Sequence, residues 1–188
     1  MDNAVDKLTE AIKLYLTKLT RDSLDDREGR RAMEVISFAI NLEHMGDIVD
    51  NLSELAGKKI RRKLHFSSEG AAELLAFHKN VLESLCMAFG VFMSGDVGEA
   101  RKLLATKARL RSAEISGAEQ HLERLREGRP ETVETTSLHL DVLRDLKRIH
   151  SHICSVAYPV LEAAGDISDI RRSDALALAP SEAQPSAQ

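Results

Sequence analysis

Two pairs of acidic residues near the amino terminus have the spacing of side chains that share one face of a helix. Asp2 and Asp6 are four positions apart, as are Glu43 and Asp47. Residues at i and i+4 lie one turn apart, so each pair projects from one side of its helix. If the two helices are antiparallel neighbours, four carboxylates converge, and a hard divalent cation or iron would relieve their repulsion. The alternative is that these carboxylates are simply solvated.

The elements that must position these residues are helices. Apolar residues recur at three- and four-residue spacing along the chain, and no segment shows a convincing alternation with a period of two. Ser94-Gly95 and Gly128 with Pro130 are turn signals between long helical segments. The predicted fold class is therefore all-α, an antiparallel helical bundle.

Five helices are predicted from the apolar spacing and the turn signals. The second begins at a capping box, formed either by Ser23 with Asp26 or by Asp25 with Glu28. Gly57 is its expected end, which leaves the basic stretch 58–63 as a loop. Pro159 is expected to bend or shorten the last helix. The approximate ranges are 2–20, 25–56, 68–93, 97–126 and 130–164.

Composition excludes several functional classes. A net charge of −4 over 188 residues leaves no basic excess, so no nucleic-acid partner is expected. The acidic start is unlike a signal peptide, and no apolar stretch approaches the ~20 residues that span a bilayer, so we expect a soluble chain. Cys86 and Cys154 lie in apolar runs and are expected to be reduced core residues. The chain lacks the metalloprotease, phosphate-loop and nucleophile-elbow motifs, so it is not expected to be an enzyme.

Two segments resemble the signatures of a known family. The sequence NLEHMGDIVDN, at 41–51, resembles the long-helix signature of PhoU proteins, an E-R-I-G-D core followed by Asn. Here His44 replaces the usual Arg, and the matching positions are Glu43, Gly46, Asp47 and Asn51. The sequence LRDLKRIHSHICSVAYPVL, at 143–161, is similar to the D-L-K-R-I-N-S core of the sodium/phosphate cotransporter branch, with His150 in place of Asn. The resemblance covers about residues 2–165.

The resemblance implies a six-helix bundle built from two degenerate repeats. We place the repeats at about residues 1–93 and 94–165, followed by a flexible tail over 166–188. Family members bind metal through paired acidic motifs, and the matching residues of the first repeat are Asp2, Asp6, Glu43 and Asp47. The corresponding residues of the second repeat are Lys107, Arg111, Lys147 and Ser151. Cations cannot hold a metal ion, so one metal site is predicted instead of two.

The cations of the second repeat have two interpretations. They either pair with acids that are near in sequence, such as Glu114 and Asp145, or present an anion-binding surface. Phosphate is the anion that the resemblance suggests. The candidate anion-binding residues are Lys107, Arg111, Lys147 and Arg148.

The resemblance also implies a function and a location. The expected function is that of a cytosolic regulatory or accessory domain of a sodium-dependent phosphate transporter, on the cytoplasmic side of the plasma membrane. Its partner is then the transport domain of the same polypeptide, which makes the only expected membrane contact, and the chain is a fragment of that protein. One apolar face is left for self-association. The alternatives are a free-standing PhoU-type negative regulator of phosphate uptake and a helical metal-binding or assembly module unrelated to phosphate.

Overall fold

The computed structural model describes residues 2–19 and 24–166, except for the side chains of residues 2 and 3, and this part of the chain is a bundle of six helices. No strand occurs within these ranges, which confirms the all-α prediction. The helices are α1 (Asp2–Leu19), α2 (Asp26–Arg61), α3 (Ser68–Ser94), α4 (Val97–Arg126), α5 (Pro130–Cys154) and α6 (Ala157–Ala163).

Local side-chain chemistry sets where the helices begin. The Asp25 carboxylate accepts hydrogen bonds from the backbone N–H groups of Arg27 and Glu28, both at 2.8 Å. The Glu28 side chain in turn accepts from the Asp25 N–H at 3.0 Å, so one of the two predicted capping boxes starts α2. The alternative box needs Ser23, which lies outside the described residues. Asp96 caps α4 by accepting from the Glu99 N–H at 2.7 Å.

The end of α2 differs from the prediction. The helix continues through Gly57 to Arg61, so the end expected at Gly57 is wrong. Lys58, Lys59 and Arg61 therefore lie in the last helical turn, where positive side chains interact favourably with the helix dipole. Most of the expected basic loop is thus helix.

The predicted fifth helix is divided into α5 and α6. Pro159 has no backbone N–H and cannot complete the helical ladder through the preceding turn. The backbone hydrogen bonds there join residues three positions apart. The Ser155 N–H donates to the His152 carbonyl at 3.3 Å, and the Tyr158 N–H donates to the Ser155 carbonyl at 3.4 Å. The proline therefore shortens the helix, as expected, and six helices replace the five predicted from periodicity.

The helices alternate in direction. Val5 of α1 faces Gly46 of α2, and the Lys13 ammonium lies 3.7 Å from the Glu43 carboxylate, so α1 runs antiparallel along α2. The next helices continue the alternation, and α5 packs against α2, α3 and α4. The short α6 packs against α4 and α3.

The core is formed by the contacting faces of α2 to α6. Ala88 and Val91 of α3, Leu103 of α4 and Leu161 of α6 are completely buried. Cys154 is buried as predicted, but Cys86 is exposed on α3, so the prediction of a core residue is wrong there. The predicted division between repeats falls at the α3–α4 turn, and it stays a prediction. Of the predicted tail, only Asp166 is described.

Among the helices that the structure describes, α3 alone is long and apolar enough to cross a membrane by length and composition. The sequence pattern had indicated no such segment. About a third (33%) of its most apolar window is buried inside the bundle. Core helices of soluble bundles have the same composition, so this feature is weak evidence for a span.

Candidate functional site: the groove between α4 and α5

The groove between the antiparallel helices α4 and α5 contains two adjoining cavities. The outer cavity has a volume of about 530 Å³ and the inner one about 350 Å³. They adjoin because both are lined by Glu114, Ala118, Lys147 and Ser151. Together they offer an opening of the size that small ligands occupy in proteins.

Three of the four predicted anion-binding cations line the outer cavity. Lys147 forms an ion pair with Glu114, with its Nζ 2.6 Å from Oε1. The Lys107 ammonium donates to the Tyr158 hydroxyl at 2.5 Å and lies 5.1 Å from the centre of its ring. Arg111 is exposed and has no ion pair with any residue that the structure describes. The outer cavity therefore holds more positive than negative charge.

The fourth predicted cation, Arg148, lines the inner cavity instead. Its guanidinium Nη1 lies 3.4 Å from the carboxylate of Asp145, which is completely buried. Ion pairing, one of the two interpretations of the cations, is observed for two of them, and anion binding stays a prediction. Lys147 and Arg148 pair with the acids named from sequence, Lys107 donates to Tyr158, and Arg111 lines the outer cavity.

His150 forms part of the wall of the outer cavity. Its Nε2 lies 2.9 Å from the Thr106 hydroxyl and 3.6 Å from the Cys154 sulfur. Burial, with a smaller contribution from the nearby Lys107 ammonium, lowers the pKa of His150 to about 4. The imidazole is therefore neutral at physiological pH and adds no charge to the groove.

The inner cavity is lined by two buried histidines. The rings of His121 and His139 stack with centroids 4.9 Å apart and planes 6° from parallel. Their exposed fractions are 6% and 2%. Below them, the buried Arg124 guanidinium donates to both carboxylate oxygens of Glu73, at 2.7 and 3.0 Å. This ion pair joins α4 to α3.

Both histidines are kept neutral by their surroundings. Burial is the main cause of a lowered pKa at each ring. The positive charge of Arg124 adds to the effect at His121, and the neighbouring His121 adds to it at His139. Glu73 opposes the shift at both rings, since its carboxylate lies 3.3 Å from Nε2 of His139.

The two signature segments face each other across the α2–α5 contact. The Asn51 amide donates to the Asp145 carboxylate, and Asn41 forms a 2.8 Å hydrogen bond with Nδ1 of His152. The His44 and His152 rings lie 5.2 Å apart. Burial, with contributions from His44 and Arg148, lowers the pKa of His152. The segments that carry the resemblance thus build one polar helix–helix contact.

Comparison with known families decides what kind of domain this is. The PhoU domain family matches residues 1–56 and 74–160, which is most of the chain. The chain belongs to the PhoU domain family. The match includes the first signature segment and residues 143–160 of the second, so the resemblance to PhoU proteins is confirmed.

Curated relatives carry the same domain within longer proteins. The chain is 43% identical over 159 residues to a Salmonella typhimurium protein named "Putative inorganic phosphate export protein YjbB". It is 41% identical over 159 residues to the Escherichia coli K12 protein of the same name. In both cases the alignment covers 84% of this chain but only 29% of the relative. No solved structure matches the chain.

The predicted metal ligands of the PhoU domain lie along the α1–α2 contact. Asp6 and Asp47 are exposed, Glu43 is half-buried, and the side chain of Asp2 lies outside the described part. Val5 lies over Gly46, so Asp6 of α1 and the pair Glu43 and Asp47 of α2 lie on the two helices of one contact. Within the described ranges, however, no three His, Cys, Asp or Glu side chains are grouped to hold a metal ion. Metal binding at these residues stays a prediction.

Sequence reasoning missed the inner cavity of the PhoU domain. The apolar side chains of Ile115 and Leu122 on α4 are about half exposed. The buried positions over the same turns are His121 and Arg124. The available signal was their spacing, because the two polar residues are three positions apart and extend the buried face of Leu110.

Proposed function

We propose that this PhoU domain regulates a phosphate-transport protein and serves phosphate homeostasis. The supporting observation is the similarity of 84% of the chain to relatives named as inorganic phosphate export proteins. The chain spans 29% of the length of those relatives, which leaves room for a transport domain in the same polypeptide. On this proposal the domain lies on the cytoplasmic side of the membrane and the transport is coupled to sodium.

The groove suits a role in binding an anion. Oxyanions such as phosphate form charge-assisted hydrogen bonds with ammonium and guanidinium groups, which the outer cavity offers at Lys107, Arg111 and Lys147. An anion held between α4 and α5 acts on α5, and α5 contacts three other helices. A ligand that favours one arrangement of these helices over another shifts their equilibrium. The proposed role is therefore regulatory and not catalytic.

Deleting residues 2–166 from the full-length membrane protein tests this proposal. We expect phosphate transport to continue, but it should no longer depend on the phosphate concentration on the side of the membrane where the domain lies. The measurement is the flux of radiolabelled phosphate in proteoliposomes at several phosphate concentrations, in sodium and in potassium buffers. Full-length protein carrying Arg129→Ala, a change at a partly exposed arginine outside the groove, is the control.

A different result of that experiment would exclude each part of the proposal. A deletion variant whose flux and phosphate dependence equal those of the full-length protein would exclude the regulatory role. Equal flux in sodium and potassium would exclude sodium coupling. The alternative function, a free-standing negative regulator of phosphate uptake, is distinguished by the gene. It requires that no transport domain be encoded in the same polypeptide.

Divalent metal binding is a second candidate function, favoured by the Val5–Gly46 contact between the two acidic pairs. We expect Mn²⁺ or Fe²⁺ to bind with a heat that isothermal titration calorimetry detects, and Asp47→Asn to weaken binding about tenfold or more. Asp141→Asn, at an acid that pairs with Arg144 elsewhere, is the matched control. Absence of heat with Mg²⁺, Mn²⁺, Fe²⁺ and Zn²⁺ would exclude the site.

A further inference from the structure

Apolar side chains form an exposed stripe along α3. Residues seven positions apart share one face of a helix, and Leu75, Leu82 and Phe89 on this face are 67%, 49% and 44% exposed. Met93, one turn beyond Phe89, is 78% exposed, and Cys86 lies exposed between Leu82 and Phe89. We call these five residues the outer face of α3. A continuous exposed apolar surface of this kind is typical of an interaction site.

The outer face of α3 has almost no charge beside it. Between residues 74 and 94 the charged side chains are Lys79 and Glu83, whose Nζ and Oε1 atoms lie 4.0 Å apart. Glu69 and Glu73, nearer the start of the helix, each form an ion pair with an arginine. The outer face therefore offers no free carboxylate to a partner.

A cluster of five cations precedes α3. The basic stretch 58–63 contains Lys58, Lys59, Arg61, Arg62 and Lys63. The Lys59 ammonium lies 5.4 Å from the centre of the Phe66 ring. The other four cations are exposed and have no ion pair with any residue that the structure describes. Ile60, within the same stretch, is 75% exposed. The stretch thus combines unpaired positive charge with an exposed apolar side chain.

A cavity of about 300 Å³ joins the basic stretch to the outer face of α3. It is lined by Ala56 and Lys59 of α2, by Phe66 and by Leu75 of α3, over a floor of aliphatic residues from α5. Ile60 lies one helical turn beyond Ala56 and so on the same side of α2. The cations and the apolar stripe are therefore parts of one surface.

The charge of this surface favours one kind of partner. A second copy of the chain, in a two-fold contact, would bring the surface against itself. The surface carries more cations than acids, so such a contact would leave the cations without counter-charges. An anionic lipid bilayer supplies both requirements. Its headgroups attract clusters of four to eight Lys and Arg residues, and the boundary beneath the headgroups accepts apolar side chains.

We propose that the basic stretch 58–63 and the outer face of α3 dock this domain on an anionic lipid membrane. The cations contact the headgroups, and Ile60, Leu75 and Met93 enter the boundary between headgroups and acyl chains. The sequence alone predicts membrane contact only through the transport domain, whereas this surface gives the domain a contact of its own. The inference goes beyond the proposed function, because binding to lipid requires neither the α4–α5 groove nor regulation of transport.

Co-sedimentation of the chain with lipid vesicles tests the proposal. One set of vesicles contains phosphatidylcholine alone, and the other contains phosphatidylcholine and phosphatidylglycerol. We expect the chain to partition about tenfold or more in favour of the anionic vesicles. Raising the salt concentration should reduce this binding, because salt screens the headgroup charge. Absence of binding, or equal binding to the two kinds of vesicle, would overturn the proposal.

Two double variants separate the contribution of the charges from that of the apolar side chains. Lys58→Gln with Arg62→Gln is expected to lower partition into anionic vesicles about tenfold, because it removes two exposed cations. Leu75→Ser with Met93→Ser is expected to lower it by about the same factor, because it removes the apolar side chains that enter the membrane. All four side chains are exposed, so the fold should tolerate the changes.

A matched control removes the same charge from another part of the domain. Lys7→Gln with Lys18→Gln changes two exposed lysines of α1, a helix that does not line the cavity. This variant should bind anionic vesicles nearly as well as the unmodified chain. If it weakens binding as much as Lys58→Gln with Arg62→Gln, net charge alone explains the binding and the proposed surface is wrong.

A label on Cys86 reports directly on the outer face of α3. Cys86 is exposed and Cys154 is buried, so a thiol-reactive, environment-sensitive fluorophore should attach at Cys86. Its emission should shift to the blue on anionic vesicles, and binding without this shift would overturn the assignment of the outer face. A lipid-free dimer, detected by light scattering and dissociated by Leu75→Ser with Met93→Ser, would assign the surface to self-association and overturn the proposal. The transport assay of the deletion variant decides the regulatory role independently of these results.

Discussion

Replacing Arg124 by leucine is expected to destabilise the domain by about 2–4 kcal/mol, because the substitution leaves Glu73 without its partner. The Arg124 side chain is 6% exposed and that of Glu73 is 17% exposed, so water replaces the lost contact poorly. His139, whose Nε2 lies 3.3 Å from Glu73, can take up a proton and recover part of the loss. The measurement is the free energy of unfolding from urea denaturation at pH 7.5.

Two comparisons separate the buried ion pair from a general effect of losing an arginine. Arg129→Ala removes a cation whose side chain is 40% exposed and pairs with Glu69 and Glu127, and such a change is expected to cost less than about 1 kcal/mol. Glu73→Leu added to Arg124→Leu is expected to restore most of the stability, since a buried ion pair can be exchanged for apolar residues at little cost. If Arg124→Leu costs no more than Arg129→Ala, the interpretation is wrong.

Lowering the pH from 7.5 to 5.0 is expected to destabilise the domain, with His150 contributing about 2 kcal/mol. The folded state holds the pKa of this residue at about 4, below its ordinary value of 6.5. Between those values the unfolded chain binds a proton that the folded chain does not, so stability falls as the pH falls. The ring is only 4% exposed, so solvent does not relieve the effect. The lowered pKa values of His121, His139 and His152 act in the same direction.

The contribution of His150 can be isolated by His150→Gln, which keeps a polar side chain beside Thr106 but cannot titrate. We expect this variant to lose about 2 kcal/mol less than the wild type between pH 7.5 and 5.0, measured by urea denaturation at each pH. His65→Gln, at an exposed histidine between α2 and α3, should leave the wild-type pH dependence unchanged. Identical slopes for the wild type and His150→Gln would contradict the prediction.

Local signals predicted much of the fold. The capping box at Asp25 and Glu28 and the cap at Asp96 act within a few residues, so a single sequence contains the whole interaction. Gly95 and Gly128 adopt positive φ angles of 65° and 67° after α3 and α4, as the turn signals indicated. Helix class and most boundaries therefore followed from short-range chemistry.

The errors arose where distant contacts decide the outcome. Apolar spacing alone places aliphatic residues of a helix such as α4 inside, and an isolated helix gives no reason to bury His121 or Arg124. The reason is Glu73, which precedes Arg124 by 51 positions and provides its partner on another helix. Similarly, nothing local shows that α2 continues past Gly57, since a glycine within a helix is only mildly unfavourable.

The candidate site was predicted only in part, again because contacts between distant residues form it. The two-repeat comparison selected Lys107, Arg111 and Lys147, and the structure brings these three together around one cavity. It could not select the histidines of the inner cavity, because they have no counterpart in a family motif. The sequence indicated a charged surface, and only the packing of α4 against α5 shows a groove with two adjoining cavities.

The position of α1 at the edge of the bundle has a consequence for hydrogen exchange. Of the side chains described in α1, only Thr9 is buried, while Leu8, Leu14 and Tyr15 are each more than half exposed. Helix α5, by contrast, packs against three helices. The backbone amides of α1 should therefore exchange through frequent local opening, and those of α5 mainly through global unfolding. Asp6 would then lie on a poorly protected helix, so a metal ion bound there would slow the exchange of α1.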